Sequence, residues 1–276
     1  MKTVIHVYKQ NIKQINADGF DIDTMVGLGD CLRGTLTLYR LSKVYGFNLI
    51  VDIRHHPISN FFIINKHNYV DIVDKNIEDL KFFFVTKNLQ NYLENIIKTE
   101  DIIYLHTNAI FNMNEITNAI NILTNDEKEF MKNILKPNDN FHNYIENKII
   151  NLPKKFNIIH FRIGDTKSFN NNGLTQEELE NYENIFKKYY EENDVLISDN
   201  IIFKNYIKSK YNIIVYDVNI GHLGNTNNLE EIHGTLFDFI LQSKSSKIKT
   251  FSNYFWISGF VQWNSNIFDI PLISMI

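Results

Sequence analysis

The feature that most constrains the fold is the alternation of short β-rich runs with amphipathic helical stretches along the chain. Parallel strands need a crossover connection, which is usually a helix, so this alternation predicts βαβ units around a parallel sheet. In the first half, strands are predicted at 3–8, 48–53, 81–86 and 101–106, and helices at 31–45 and 88–98. This half therefore has the pattern of a Rossmann-like domain.

The alternation pauses and then begins again near residue 151. Pro137 separates two predicted helices, and residues 151–153 form the best linker candidate. In the second series, Thr175 and Glu178 have the spacing of a capping box. Helices are predicted at 125–135, 138–150, 176–192, 201–210 and 232–243 with one more near the end, and strands at 156–161, 194–198, 212–217, 247–251 and 271–275. We therefore predict two α/β domains, residues 1–150 and 151–276.

Charge and cysteine content argue against several classes of function. The formal net charge of −4 gives no basic surface for nucleic acid. The single cysteine, Cys31, allows neither an intramolecular disulfide nor a cysteine zinc cage. The first apolar run is too short for a signal peptide, and no stretch approaches the ~20 apolar residues of a membrane span. We expect a cytoplasmic protein that begins at Met1.

Arginine is rare in this chain, which is rich in Ile, Asn and Lys. The four arginines are Arg33, Arg40, Arg54 and Arg162. Lysine satisfies a demand for positive charge alone, whereas bidentate recognition of an anion needs the planar guanidinium. Arg33 and Arg162 lie inside the motifs described below, which makes them candidate anion-binding residues.

The first motif is the glycine-rich segment 27–34, Gly-Leu-Gly-Asp-Cys-Leu-Arg-Gly, immediately before a predicted helix. Glycines let the backbone approach a ligand, and free N–H groups at a helix start attract anions. A dinucleotide fingerprint would have glycine in place of Leu32, so NAD binding is not expected. The alternative is a glycine-containing turn that only starts a helix.

The second motif is His-Phe-Arg-Ile-Gly-Asp at 160–165, at the end of the first strand of the second domain. Ligands of open α/β sheets bind outside the carboxyl ends of strands, so His160, Arg162 and Asp165 are candidate ligand-binding residues. Arginine there can hold a diphosphate by two parallel hydrogen bonds. The alternative is that Arg162 and Asp165 only pair with each other at the surface.

The third motif is the end of the stretch 238–256, where a late predicted strand runs into Ser-Asn-Tyr-Phe-Trp at 252–256. We interpret it as the start of an aromatic-rich helix whose N-terminus could hold phosphate. The alternative is a plain N-cap above a buried aromatic face.

Other candidate sites find little support in the sequence. Asp21 and Asp23 match a short acidic pattern that some glycosyltransferases use for a metal, but nothing nearby supplies further ligands. His55, His56 and His233 also lack partners at metal spacing. Glu177 and Glu178 fit helix capping, and no Gly-x-Ser-x-Gly nucleophile elbow is present. We therefore expect no metal and no cofactor.

Taken together and in this order, the motifs resemble those of the GDP-fucose-dependent fucosyltransferases of the α-1,2, α-1,6 and protein O-fucose group. That group has an early Gly-x-Gly-Asn-Arg/Gln segment, a His-x-Arg-x-Gly-Asp segment, a Ser-Asp-Asp and a late serine-rich turn with phenylalanine. Here they correspond to segments 27–33, 160–165, 198–200 and 252–255, and the likeness covers about two thirds of the chain.

The resemblance implies a GT-B fold, with two Rossmann-like domains facing across a cleft. The N-terminal domain would carry a glycan or glycoprotein acceptor, and the C-terminal domain would bind the nucleotide sugar. It implies inverting, metal-independent transfer of fucose from GDP-fucose, with Arg162 on a phosphate oxygen and Asp199 near the base or ribose. The remaining substrate-binding residues it implies are Gly27, Gly29, Arg33, His160, Asp165, Asn200, Ser252, Asn253, Tyr254 and Phe255.

Three positions depart from the group's pattern. Asp30 stands where the group has asparagine, and a carboxylate there could act as the catalytic base or could be an ordinary helix N-cap. Asn200 replaces a frequent aspartate, and Asn253 with Tyr254 interrupts the serine-rich turn. These changes leave two alternatives open: a transferase using a UDP- or dTDP-linked sugar, and a catalytically silent nucleotide- or glycan-binding protein.

Overall fold

The computed structural model describes residues 2–10, 12–15, 21–24, 26–64, 80–111, 122–164, 173–224 and 226–275, with backbone only for 12–15 and 21–24. Most of the chain divides into two compact units. Unit 1 comprises Met1–Phe141 with His222–Asn227, and unit 2 comprises His142–Gly221 with Asn228–Ile276.

Unit 1 is built on a four-stranded sheet with the order β4-β1-β6-β5, in which every pairing is parallel. Its strands are β1 (Thr3–Val7), β4 (Asn48–Asp52), β5 (Lys81–Phe83) and β6 (Ile102–Thr107). Strands β2 (Ile12–Ile15) and β3 (Asp21–Thr24) form a separate antiparallel pair between β1 and the first helix.

The helices that begin in unit 1 are α1 (Leu28–Tyr45), α2 (Thr86–Ile96), α3 (Asn125–Ile134) and α4 (Asp139–Ile149), with a 3₁₀ turn at Pro57–Asn60. Helix α1 ends at Gly46, whose φ of 70° is left-handed and therefore suits glycine. Helix α3 begins with a capping box, in which Thr124 accepts from the N–H of Glu127 and Glu127 accepts from the N–H of Thr124. Helix α4 begins in unit 1 and continues into unit 2.

Unit 2 is a five-stranded sheet with the order β11-β10-β7-β8-β9, again with every pairing parallel. Its strands are β7 (Asn157–Arg162), β8 (Asp194–Ser198), β9 (Ile214–Val215), β10 (Ile248–Ser252) and β11 (Leu272–Ser274). Its further helices are α5 (Gln176–Tyr189), α6 (Ile201–Lys210), α7 (Leu229–Ser243) and α8 (Gly259–Phe268).

One apolar cluster lies between the unit 2 sheet and helices α5 and α6. It contains Phe161 of β7, Phe186 of α5 and Phe203 of α6, all fully buried. Phe161 and Phe203 have ring centroids 4.7 Å apart. Burying three such side chains stabilises the sheet by several kcal/mol, at roughly 2–3 kcal/mol each. This packing fixes the carboxyl end of β7, where the second motif begins.

The sequence analysis correctly predicts a mixed α/β protein with parallel sheets. The predicted strands and helices occur with ends shifted by a few residues, and the capping box of Thr175 and Glu178 is present. The β2–β3 pair was not predicted. No helix in the described part of the chain is both long and apolar enough to cross a membrane.

Candidate functional site

The unit 2 sheet has a point where the direction of strand addition reverses. From the central strand β7 the chain adds β8 and β9 on one side, and later β10 and β11 on the other. In open parallel sheets, the crevice outside the carboxyl ends at such a switch point is the usual place for a ligand. The crevice lies between the ends of β7 and β10, which are Arg162 and Ser252.

Arg162 on β7 and Ser252 on β10 lie opposite each other where these two parallel strands pair. The N–H of Asn253 donates to the carbonyl oxygen of Arg162 over 3.0 Å and continues the pairing past the strand ends. The segments 160–165 and 252–256, remote in sequence, therefore meet at one point, as the sequence analysis expected. The structure brings an arginine, a serine and an asparagine to the switch point.

Arg162 forms an ion pair with a residue of the neighbouring strand end. Its Nη1 lies 2.8 Å from Oδ2 of Asp199, which follows β8 directly. The side chains of Arg162 and Asp199 are 23% and 7% exposed, so the pair is mostly shielded from water. Asp165, the other predicted partner of Arg162, lies outside the described residues, so that alternative stays a prediction.

Asp199 also shapes the turn that follows β7. Its Oδ1 accepts from the N–H of Ile163 at 2.8 Å, and its Oδ2 accepts from the N–H of Gly164 at 3.1 Å. Gly164 has a φ of +120°, which other residues rarely adopt, and a Cβ there would lie 3.3 Å from the hydroxyl of Tyr254. Asp199 therefore holds both the arginine and the backbone beside it, in addition to any contact with a ligand.

The third motif forms an irregular turn. Ser252 Oγ accepts from the N–H of Tyr254 over 3.2 Å, and the Asn253 amide donates to the carbonyl oxygen of Ile163 and to the hydroxyl of Tyr182. The prediction that a helix begins at Ser252 and Asn253 is wrong, because α8 begins at Gly259. The groups of this turn that lie next to the switch point are therefore backbone and hydroxyl groups and not the N-terminus of a helix.

The aromatic residues of the third motif are exposed. Phe255 is 96% exposed and Trp256 is 51% exposed, which contradicts the alternative of a buried aromatic face. The rings of Tyr254 and Trp256 stack with centroids 4.8 Å apart, and Phe255 meets Trp256 edge-on. An exposed aromatic cluster therefore flanks the switch point.

Two other predicted site residues have structural partners. His160 is buried, and its Nδ1 lies 3.0 Å from Oγ1 of Thr250 on β10. Burial, with the nearby charge of Arg162, lowers the pKa of His160 to about 3, so the imidazole is neutral. Asn200 caps α6 by accepting from the N–H of Phe203 over 3.0 Å.

In unit 1 the first motif forms the start of α1. Gly27 is the N-cap residue, and Asp30 is the third residue of the helix, after Leu28 and the half-buried Gly29. Asp30 Oδ1 accepts a short hydrogen bond from Nη2 of Arg33 one turn later. The alternative that Asp30 is the N-cap is therefore wrong. Its carboxylate instead pairs with Arg33. Its position in the first turn of α1 is also favourable, because the N-terminal end of a helix is partly positive.

A short segment from the second half of the chain, residues 222–227, belongs to unit 1. The Gln10 amide donates to the carbonyl oxygens of Leu223 and Thr226 at 2.9 and 2.6 Å, and His56 Nε2 donates to that of Leu223 at 2.8 Å. These bonds place His222 against Gly27. The sequence analysis did not single out His222 or Gln10, and the only local signal is the Gly-His-Leu-Gly run at 221–224.

Buried neutral histidines support the carboxyl edge of the unit 1 sheet. His56 stacks on Tyr8 with ring centroids 4.1 Å apart, and His106 Nδ1 donates to the carbonyl oxygen of Val7 over 2.8 Å. Burial lowers the pKa of both His56 and His106 to about 4.

Burial also raises the pKa of the Cys31 thiol to about 12, so this thiol is not reactive.

Within the described residues, no three His, Cys, Asp or Glu side chains group closely enough to hold a metal ion. Asp21 and Asp23 belong to β3, whose side chains lie outside the described part of the structure.

Comparison with solved structures shows which proteins share this architecture. NodZ α-1,6-fucosyltransferase, in a crystal structure soaked with GDP-fucose, superposes with a TM-score of 0.55 at 13% identity, over 99% of this chain and 94% of NodZ. NodZ from Bradyrhizobium in a second crystal structure gives a TM-score of 0.56 at 12% identity, with the same coverage. A variant of Arabidopsis thaliana FUT1 in complex with GDP gives 0.53 at 10% identity, over 99% and 70% of the two chains.

The chain shares its fold with fucosyltransferases. At these identities the likeness concerns the fold alone. No protein-family model matches the chain, and no curated protein matches it.

Proposed function

We propose that the chain is a glycosyltransferase that transfers fucose from GDP-fucose to a glycan or protein hydroxyl. The main support for this proposal is that Arg162 and Ser252 lie opposite each other at the ends of neighbouring strands, at the switch point. Asp199 holds the guanidinium of Arg162 there by an ion pair. A diphosphate fits such a place, because it accepts charge-assisted hydrogen bonds from arginine and ordinary ones from hydroxyl and backbone groups. The fold shared with NodZ supports the choice of donor.

In the proposed reaction, Arg162 stabilises the charge that develops on the departing diphosphate. Oriented cationic donors in a partly shielded site can provide this stabilisation, which a divalent cation provides in other enzymes. The transfer would invert the configuration at the sugar carbon and need no metal. Asp30 would take the proton from the acceptor hydroxyl. A GT-B arrangement, with the acceptor carried by the N-terminal domain and the chemistry in a cleft, belongs to this proposal.

Asn200, Asn253 and Tyr254 differ from the fucosyltransferase pattern, and these differences are the reason to consider other nucleotide sugars as donors. Asn253 and Tyr254 are tied into the turn by their own hydrogen bonds, so these changes alter the lining of the site and leave Arg162 in place. A UDP- or dTDP-linked sugar would use the same arginine. A silent binding protein would bind nucleotide but release none from a nucleotide sugar.

The test is release of GDP from GDP-fucose, followed by ion-exchange chromatography, with a panel of mono- and disaccharides as acceptors. We expect turnover that persists in excess EDTA, because Arg162 holds the diphosphate without a cation. Absence of GDP release would refute the enzymatic function. Loss of activity in EDTA, with recovery in manganese or magnesium, would refute metal independence and implicate Asp21 and Asp23.

A further inference from the structure

The carboxyl edge of the unit 1 sheet exposes apolar side chains beyond the ends of β5 and β6. Phe83 and Thr107 lie opposite each other at these two strand ends. The chain continues from them into Phe84 and Asn108, which therefore follow at the same edge. The exposed apolar residues there are Phe84, Val85 and Ile110, with exposed fractions of 57%, 42% and 42%. Ligands of open parallel sheets bind at such a carboxyl edge.

Beside this apolar group lies a buried amide whose oxygen makes no hydrogen bond. Asn108 is 8% exposed, and within the described part of the chain its Oδ1 has no hydrogen-bond partner. Nearly all buried polar groups of native proteins have a partner, because leaving one without costs stability. One side of the residue reaches the surface, and the terminal torsion of asparagine is soft, so rotation of the amide can turn Oδ1 towards a ligand.

The backbone around Asn108 is held firmly in place. Thr107 Oγ1 donates to the carbonyl oxygen of Phe83 over 2.6 Å and accepts from the N–H of Ala109 over 3.0 Å. Thr37 of α1 donates to the carbonyl oxygen of Ala109 over 2.6 Å. Asn108 thus lacks a partner for Oδ1 although the residues on both sides of it are anchored, which favours a ligand as the missing donor.

The candidate base Asp30 lies at the same edge of unit 1. A Cβ on Gly34 would lie 1.6 Å from the carbonyl oxygen of Thr107, so glycine is needed for α1 to pass this close to the end of β6. Helix α1 carries the chain from the carboxyl edge back to the start of β4, so its first turn projects beyond β6. Asp30 precedes Gly34 by four residues, about 6 Å along the helix axis. Asp30 and Asn108 are therefore both within reach of one oligosaccharide.

We propose that the acceptor is an oligosaccharide, and that a sugar ring next to the one that receives fucose stacks on Phe84 and donates a hydroxyl hydrogen bond to Asn108 Oδ1. This inference rests on the proposed function and names the class of its acceptor. A sugar ring combines an apolar C–H face with hydroxyl donors, and an exposed aromatic ring beside an unpaired amide oxygen complements both. Phe84 and Asn108 thereby select a longer saccharide over a single sugar.

Substitutions of Phe84 separate ring stacking from simple apolar contact. Binding is first surveyed on a printed array of mono- and oligosaccharides in saturating GDP, where we expect the wild type to retain oligosaccharides in preference to monosaccharides. The oligosaccharide retained best is then titrated calorimetrically. Its Kd should be roughly tenfold higher for Phe84→Leu, which loses the ring face, and close to the wild-type value for Phe84→Tyr, which keeps it. Val44→Ala, an exposed apolar residue near the other end of α1, is the control.

The substitution Asn108→Leu distinguishes a ligand-binding amide from a structural one. It removes the amide at similar volume and sacrifices no hydrogen bond of Oδ1. The urea midpoint should therefore stay the same or rise, while the Kd for the same oligosaccharide rises about tenfold. Asn95→Ala, at an exposed asparagine of α2, should leave the Kd unchanged.

Wild-type affinity in Phe84→Leu would overturn the stacking, and a lower urea midpoint with unchanged Kd in Asn108→Leu would make its amide structural. A wild-type protein that binds no oligosaccharide on the array, yet releases GDP when given serine- or threonine-containing peptides, would overturn the acceptor class. Failure of the proposed function is a separate result, because the wild type would then release no GDP from GDP-fucose, whereas the array detects saccharide binding without turnover.

Discussion

The substitution Arg162→Lys keeps the positive charge at the switch point and removes the planar guanidinium. Nη1 of Arg162 forms an ion pair with Asp199, and the guanidinium has further N–H groups in the same plane. A lysine ammonium presents its donors from one atom and cannot both hold Asp199 and offer a parallel pair to a diphosphate. The variant should therefore remain folded and bind GDP more weakly.

The loss should be that of one charge-assisted hydrogen bond, about 1.5–3 kcal/mol, or roughly a tenfold to hundredfold rise in Kd. The Arg162 and Asp199 side chains are only 23% and 7% exposed, so screening by water should not reduce the effect to that of a surface pair. Isothermal titration of GDP into both proteins measures this difference.

Arg54→Lys provides a matched control for this measurement. Arg54 also pairs with an aspartate at the end of a parallel strand, because its Nε and Nη2 donate to Asp52, the last residue of β4, at 2.9 and 2.7 Å. Arg54 belongs to unit 1, and the proposal gives it no contact with the donor. Its lysine variant should bind GDP as the wild type does. An unchanged Kd in a folded Arg162→Lys protein would show that Arg162 is structural and that the donor site lies elsewhere.

Two further predictions concern the base and the buried histidines. Asp30→Asn should retain GDP affinity and lose turnover by ~10²-fold or more, the usual value of general-base catalysis, while near-normal turnover would exclude Asp30 as the base. His56 and His106 have a folded pKa of about 4 against 6.5 in the unfolded chain, so the unfolded chain binds more protons as pH falls below 6.5. The free energy of unfolding should therefore decrease by about 2 kcal/mol per histidine between pH 7 and pH 5. Urea midpoints that do not change over this range would contradict the neutral assignment.

Local sequence signals predicted the secondary structure of both units well. Thr175 with Glu178 marked the start of α5, and Gly46 marked the end of α1, because caps and left-handed glycines depend on a few neighbouring residues. The Arg162 motif was placed correctly at a strand end for the same reason. Its meeting with Ser252 was expected only from the resemblance to the fucosyltransferases, which implied that both residues surround the phosphates.

Features that depend on long-range packing were not predictable. Arg162 pairs with Asp199, which follows the neighbouring strand β8, and no spacing rule connects the two. The helix expected at Ser252 begins only at Gly259, because side-chain hydrogen bonds of Ser252 and Asn253 stabilise an irregular turn instead. Competition of this kind between side-chain and helical hydrogen bonds is typical of serine and asparagine.

The position of His222 shows the same limitation. It lies close to Gly27 only because the segment 222–227 packs in unit 1, through the hydrogen bonds of Gln10 and His56 to Leu223. Sequence spacing gave no indication of these contacts.

In the proposed function, the switch point of unit 2 binds the diphosphate of a guanine nucleotide. Isothermal titration of the wild-type protein with GDP, UDP and dTDP, all in EDTA, tests it most directly. We expect GDP to bind about tenfold more tightly than UDP or dTDP, or more, and Arg162→Lys to weaken this binding. Tighter binding of UDP or dTDP would contradict the assignment of the donor, and no binding of any of the three would contradict the nucleotide site itself.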